Sequence, residues 1–299
     1  MVFLYASEEN EARVNELLTC VEKEGQPEQP VWDHNDPLFA SFNARAIEYM
    51  RDRVEPDDII CIIGGTTQKP VSDAFPNNIS VEFGIGYAGV YSDYKVFESY
   101  AWMHTVYGER QGAYAANGSW TDTVIPNYFE TEDFPPHNEG DEKYVLYMGR
   151  LIERKGIYTA ALACERAGLK LKIAGGQGAP PEYGEYVGVV GPEERGRLMS
   201  GAMAVMVPTT YIEPFGGVHV EAQLCGTPVL TTDWGVFTET VINGFNGYRC
   251  ISVDEFVERL GQVEELDNQA IREYAQAKWS TDTCAKMYED YFERILRYR

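Results

Sequence analysis

The stretch Tyr144-Val-Leu-Tyr-Met-Gly-Arg-Leu-Ile-Glu-Arg-Lys-Gly156 decides how this chain is read. Its first five residues are apolar and β-prone, Gly149 breaks the run, and a short basic loop leads to Gly156. A helical pattern follows over Gly156–Ala167, then a second apolar run over Leu169–Ala174. Strand, crossover helix and strand in that order make a parallel βαβ unit. The alternation continues downstream with runs at Tyr186–Val190, Met203–Val207 and Thr227–Leu230. Helices are predicted at Pro192–Ser200, Val218–Cys225, Val253–Leu266 and Asn268–Ala277, and a long aromatic helix from about Thr281 to Arg299. Upstream, the runs are Val2–Tyr5, Asp58–Ile63, Ile79–Phe83 and Thr123–Ile125, with amphipathic helices predicted over Glu11–Glu24 and Phe39–Arg53. Pro135 and Pro136 with the polar His137–Glu142 read as a linker. The fold class is therefore α/β, in two halves.

Length agrees, because 299 residues suit two domains that each bury a core. Charge is the unusual property, at net −22. Residues 1–140 carry 24 acidic and 8 basic side chains, whereas residues 141–299 carry 23 and 17. Such a field repels nucleic acid and disfavours docking on anionic membranes. Any anionic ligand belongs with the second half. No run approaches a membrane span, and the Met1–Ser7 start lacks the basic region of a signal peptide. Six scattered cysteines without C-x-x-C spacing suit reduced thiols, so a cytoplasmic location is expected and neither a disulfide framework nor a zinc site. Of the four histidines, His34, His104, His137 and His219, no two have a metal-ligand spacing.

Two constellations carry chemistry. Glu213-Pro-Phe-Gly-Gly-Val-His-Val-Glu221 sets two carboxylates around glycines that open a helix. A helix start offers unpaired N–H groups and partial positive charge, and glycine lets a ligand approach the backbone. Acceptors flanking such donors suit a ligand with hydroxyls and phosphates; ordinary capping acids are the plainer alternative. Arg150 and Lys155 lie past the end of the first strand of the βαβ unit, where two cations match a diphosphate. A solvated basic loop is the rival reading there.

Taken in order, Gly149-Arg150 with Lys155-Gly156, Ala174-Gly-Gly-Gln-Gly178, Glu213 to Glu221, Gly226-Thr-Pro-Val229, and Glu239 with Asn243-Gly-Phe-Asn-Gly247 resemble the family 4 glycosyltransferases of the GT-B fold. Ile125-Pro-Asn127 with Asp133-Phe134 is similar to that family's segment entering the donor-binding half. The likeness covers roughly residues 123–250.

The resemblance implies two Rossmann-like domains, an acceptor domain over 1–135 and a donor domain over 136–278, with residues 279–299 crossing back as a helix. It implies transfer of a sugar from a nucleotide diphosphate sugar to an acceptor hydroxyl, with retention of configuration and without metal or other cofactor. Arg150 and Lys155 would hold the diphosphate, and Glu213 would accept from sugar hydroxyls. The N–H groups of Phe215, Gly216 and Gly217 would cradle sugar and phosphate, and Glu221 would bind the ribose. Gly149, Gly175 and Gly176 would let the nucleotide lie close, with the base near the segment Val189–Pro192 and Val190 within it. A neutral or soluble glycan or small molecule is the expected acceptor. An epimerase, a phosphorylase and a non-catalytic sugar-nucleotide-binding subunit remain alternatives on the same fold.

The first half departs from the family pattern. Ser7 stands where a Gly-rich loop is usual, and Glu82 is aligned with a frequent histidine. Gly84-Ile-Gly-Tyr-Ala-Gly89 satisfies G-x-G-x-x-G but follows the third run and leads into no suitable strand and acid, so it reads as a loop. Within it and just after it, Gly86, Tyr87 and Tyr91 are the acceptor-side candidates, because aromatic rings stack on sugar faces. Phe97, Tyr100 and Trp102 are expected in the core.

Overall fold

In the computed structural model, residues 1–7, 14–21, 32–111, 118–138 and 142–298 are described. They form two compact units, one of Met1–Phe97, Val106–Thr123 and Ile295–Arg299, the other of Glu98–Thr105 and Val124–Arg294.

Within the first unit, β1 (Phe3–Ser7) and β2 (Glu16–Val21) pair in parallel. Helix α1 (Pro37–Arg51) starts on an Asp36 side chain that accepts the Leu38 N–H. β3 (Ile59–Ile62), α2 (Lys69–Ala74), β4 (Ile79–Ile85) and β5 (Tyr94–Phe97) follow. Next in the chain come α3 (Tyr100–Gln111), whose first six residues belong to the second unit, and the short β6 (Thr123–Val124). A four-stranded sheet runs β3-β4-β5-β6. The helix predicted over Glu11–Glu24 is corrected at its centre, which is β2, while residues 11–13 and 22–24 lie outside the described residues. Alternation decides it: Leu18 and Cys20 are buried and Leu17 is exposed. Buried Lys95 interrupts the β5 run and pairs with Asp122 at 3.0 Å, which explains why that strand escapes a hydrophobicity reading.

The second unit carries the larger sheet. In chain order its elements are β7 (Val145–Met148), α4 (Ile157–Ala167), β8 (Leu171–Ala174), β9 (Glu185–Gly188), α5 (Pro192–Ser200), β10 (Ala204–Val207) and α6 (Gly217–Cys225). They continue with β11 (Val229–Thr232), α7 (Phe237–Thr240), β12 (Gly247–Cys250), α8 (Val253–Leu260), α9 (Asn268–Trp279) and α10 (Thr281–Arg297). The strands are all parallel in the order β12-β11-β10-β7-β8-β9. Both faces are covered: Leu146, Val205 and Val207 enter one core cluster, and Val145, Tyr147 and Met206 enter the other. That double burial is why β7 and β10 read as unbroken apolar runs. None of the described helices is long and apolar enough to cross a membrane.

The strand order reverses between β7 and β10, and the helices after them, α4 and α6, pack into different core clusters, which leaves a crevice at the carboxyl ends of these strands. Glycines let neighbouring loops close on each other there. A methyl group at Gly175 would lie 1.8 Å from the Gly149 carbonyl oxygen, and one at Gly178 would lie 1.9 Å from that of Leu151. Gly175 also has φ +144, a conformation that side chains rarely adopt. Gly175→Ala is expected to cost on the order of 3 kcal/mol, since backbone must move. Gly168→Ala, at φ +67 but with open space around it, is expected to cost roughly 1–2 kcal/mol from backbone strain alone. Chemical denaturation of the two variants checks the difference.

Candidate active site

The basic loop after β7 is fastened to the loop after β10. Arg154 C=O accepts the Thr210 N–H at 2.9 Å, and Gly156 packs so tightly that a methyl group there would lie 2.1 Å from the Pro208 carbonyl oxygen. The left-handed Gly156 (φ +77) then starts α4. This junction brings Lys155 to Glu213, a pairing that the sequence did not announce. Their side chains form an ion pair, with the Glu213 carboxylate nearly buried. Glu213 Oε1 also accepts from Thr209 Oγ1 at 3.2 Å, and Oε2 accepts from the Tyr211 hydroxyl at 2.8 Å. Thr209 and Tyr211 were missed in the sequence; the one available signal is that Tyr211 stands two positions before Glu213 and so projects to the same side in extended chain. The Tyr211 ring lies 4.8 Å from the Arg154 guanidinium carbon and 5.1 Å from Lys155 Nζ, within cation–π range. Ile152, Glu153, Arg154 and Thr210 line a cavity of about 390 Å³ between the two loops. Arg150 is exposed and its guanidinium makes no ion pair with a described residue.

Beyond Glu213 the chain turns through Gly216 (φ +75) into α6. Phe215 is fully buried, its ring 6.4 Å from Phe129 and 6.0 Å from His219, so only its backbone is available to a ligand. His219 is a packing residue: fully buried, it bonds Thr240 Oγ1 at 2.7 Å, and burial pushes its pKa down to about 4. Glu221 lies over the helix start, where a methyl group on Gly217 would come 3.5 Å from its Oε1. Across from it, Arg195 of α5 puts Nη1 3.3 Å from that same oxygen. The opposite side of the crevice is built by Gly149, Gly175 and Gly176: Gly149 N–H donates to Ala174 C=O at 3.0 Å, and Leu151 N–H donates to Gly176 C=O at 2.8 Å. Two residues of the expected base-side segment differ in exposure. Val190 packs against the core, and it is Val189 that is exposed, with Cγ2 beside Gly176.

Residues 129–278, half of the chain, match the family model of Glycosyl transferases group 1. The chain belongs to this family. An uncharacterised glycosyltransferase of Methanocaldococcus jannaschii is 31% identical over 174 residues, spanning 50% of this chain and 44% of that relative. The chain therefore spans less than half the length of this relative. Among solved structures, sucrose-phosphate synthase of Thermosynechococcus elongatus superposes with a TM-score of 0.68 at 20% identity, covering 88% of this chain and 80% of the other. HepE of Anabaena, solved in complex with UDP-glucose, gives 0.65 at 17% identity over 95% and 86%. These neighbours share the GT-B fold, in agreement with the α/β architecture expected from the sequence.

The first-unit candidates of this family member are placed as follows. Glu82, expected on the sugar side, is instead fully buried, and its Oε2 accepts the N–H groups of Tyr91 and Ser92 at 2.7 and 2.6 Å. Its carboxylate thereby fixes the loop between β4 and β5. Tyr91 is corrected likewise, since its hydroxyl bonds that of Ser72, and burial pushes its pKa up to about 12. The Tyr87 ring lies against Gly65, where a methyl group would meet its Cε2 at 2.9 Å. Gly86 donates its N–H to Gly84 C=O at 2.9 Å in the same loop, which leads to β5 and not to a helix. Ser7 ends β1 beside residues 8–13, which lie outside the described residues. Phe97 is buried as expected, Trp102 is half-buried, and Tyr100 is exposed.

A cluster that sequence reasoning missed joins residues 98–105 to the Glu213 turn. Ser99 Oγ donates to Pro214 C=O at 2.6 Å and accepts the Trp102 N–H at 3.0 Å. Glu239 accepts the N–H groups of Tyr100 and Ala101 at 3.0 and 2.8 Å, capping α3. Next to Ser99, burial pushes the Glu98 carboxyl up to about 7, against the effect of a hydrogen bond with Asn127. A carboxyl with a raised folded pKa holds its proton more tightly when folded. Its stabilising contribution is complete below the ordinary 4.5 and is lost as pH rises through about 7. Glu98→Gln is expected to flatten the fall in stability between pH 5.5 and 8, leaving the variant more stable at pH 8 by on the order of 2 kcal/mol. Denaturant titrations at the two pH values test this, and a wild-type slope retained by the variant would assign it to another group.

Proposed function

We propose that this chain transfers a sugar from a nucleoside diphosphate sugar to an acceptor hydroxyl, with retention of configuration and without a metal ion. The observation that carries the reading is the meeting of Lys155 and Glu213 at the carboxyl ends of β7 and β10, ahead of the α6 start. In that reading the donor diphosphate lies against Arg150, Lys155 and the N–H groups of Phe215, Gly216 and Gly217. The sugar hydroxyls donate to Glu213, which Thr209 and Tyr211 hold in place. Glu221 takes the ribose, and the glycines of the Gly175 loop admit the nucleotide.

The sugar C1–O bond to the diphosphate breaks, and negative charge grows on the leaving oxygens. Arg150 and Lys155 stabilise that charge more in the transition state than in the ground state, which is the requirement for acceleration. The acceptor oxygen bonds C1 on the face the diphosphate leaves, and its proton passes to a leaving phosphate oxygen. The base would be uracil by analogy with the UDP-glucose complex of HepE. The acceptor is a neutral or soluble hydroxyl compound, in keeping with the acidity of residues 1–140.

Purified protein is expected to release nucleoside diphosphate from a sugar nucleotide and to form an axial or equatorial product matching the donor, read by NMR. Glu213→Gln and Lys155→Ala are each expected to lower turnover about 10²-fold or more, the usual cost of a lost electrostatic contact to the reacting groups. Full turnover in both variants would remove the site from this position.

A further inference from the structure

Glu221 presents an asymmetry that its position in the helix does not explain. Oε1 faces the Arg195 guanidinium at 3.3 Å, whereas Oε2 is buried and has no hydrogen-bond partner among the described residues. A buried carboxylate oxygen without a donor is costly, and its persistence marks a place where a ligand donor completes the set. Arg195 belongs to α5, which begins at Pro192, three positions after the exposed Val189 on the proposed base side. The cation therefore reaches Glu221 from the element that follows the base segment, and not from the helix that carries Glu221 itself.

We propose that Arg195 is a positioning residue for the nucleotide: it binds one oxygen of Glu221 and leaves the other as acceptor for a ribose hydroxyl. The inference rests on the reading of Glu221 as the ribose acceptor and adds the residue that orients it. A ribose O–H bonds an ionised carboxylate more strongly than a neutral one, so Arg195 has a second effect through charge. Burial raises the Glu221 carboxyl and Arg195 opposes that rise. The other titratable group interacting with Glu221 is Cys225, one turn further along α6 and faced in turn by Arg272 of α9. Its thiol is pushed up to about 12 by burial and is uncharged at neutral pH. Arg195 is thus the cation that acts on Glu221.

The test measures binding of UDP and of GDP, each beside its 2′,3′-dideoxy form, to the full chain between pH 5 and 8.5. Wild type is expected to prefer the ribose form about tenfold or more, with the preference growing as Glu221 ionises. Arg195→Met keeps the apolar stem and removes the charge. It is expected to shift the midpoint of that preference upward by one pH unit or more, and to narrow the preference severalfold at pH 7. Arg195→Lys is expected to restore part of it. The ratio is the informative quantity, because loss of a positive charge weakens both members of a pair alike. An unchanged midpoint and ratio in a folded Arg195→Met overturns the role of Arg195. Equal wild-type binding of ribose and dideoxyribose forms overturns instead the assignment of the ribose to Glu221, and failure of both nucleotides to bind overturns the nucleotide reading itself.

Discussion

The constraint on which the rest depends is the close approach of backbone at the carboxyl ends of β7, β8 and β10. Three glycines at these strand ends stand where a methyl group would come within about two ångströms of a carbonyl oxygen: Gly175 against Gly149, Gly178 against Leu151, and Gly156 against Pro208. A side chain at any of them would push two loops apart. Without the Gly156 contact the basic loop would not be held against residues 208–210, and Lys155 would not stand beside Glu213. Flat loops also leave the peptide backbone uncovered, so in the proposed reading the same glycines serve both packing and access. Tight backbone contact is thus the origin of the site's geometry, and the ion pair is its result.

Charge at the site is organised as two carboxylate–cation pairs on either side of the α6 start. Lys155 meets Glu213 and Arg195 meets Glu221, each cation coming from a different element than its acid. The two differ in what remains free. Both oxygens of Glu213 accept bonds from Lys155, Thr209 and Tyr211, whereas Glu221 keeps one oxygen without a partner among the described residues. Glu213 is consequently held at both oxygens, while Glu221, in the proposed reading, is completed by a ribose hydroxyl. A rigid acceptor suits discrimination among sugar hydroxyls, because only a donor already in the right direction can bond it.

How much of this was legible in the sequence depended on whether the deciding contact is local. The βαβ unit around Tyr144–Gly156 was legible because both faces of its sheet are buried, so that Val145, Leu146 and Tyr147 are all apolar regardless of face. Glu213 to Glu221 was legible because a turn and a helix start have local signatures in glycine. The strand Glu16–Val21 was not, since Val14, Leu17, Leu18 and Val21 also satisfy helical spacing. Glu82 was misread for a related reason: a lone acid in an apolar run looks functional, yet the donors it serves are backbone N–H groups nine and ten residues on. The clamp of Ser99 and Glu239 was illegible altogether, because its partners lie more than a hundred positions apart and involve backbone atoms that no residue type announces.

The acidity of the chain acquires a structural cause from these contacts. Glu82, Glu213, Glu221 and Glu239 accept from backbone, hydroxyl or cationic donors, and Asp122 neutralises the buried Lys95. Acids are therefore used here as connectors. The cations of the second half are largely engaged as well: Lys170 and Lys172 share Glu142, Arg197 takes Glu194, and Arg166 takes Asp254. Arg150 differs, being exposed at the end of β7 with no carboxylate partner among the described residues. In the proposed reaction it is then the cation that meets an arriving diphosphate at no electrostatic cost, whereas Lys155 must share itself with Glu213. In that reading Arg150 captures the diphosphate, and Lys155, shared with Glu213 at the outset, strengthens its hold as charge grows on the leaving oxygens.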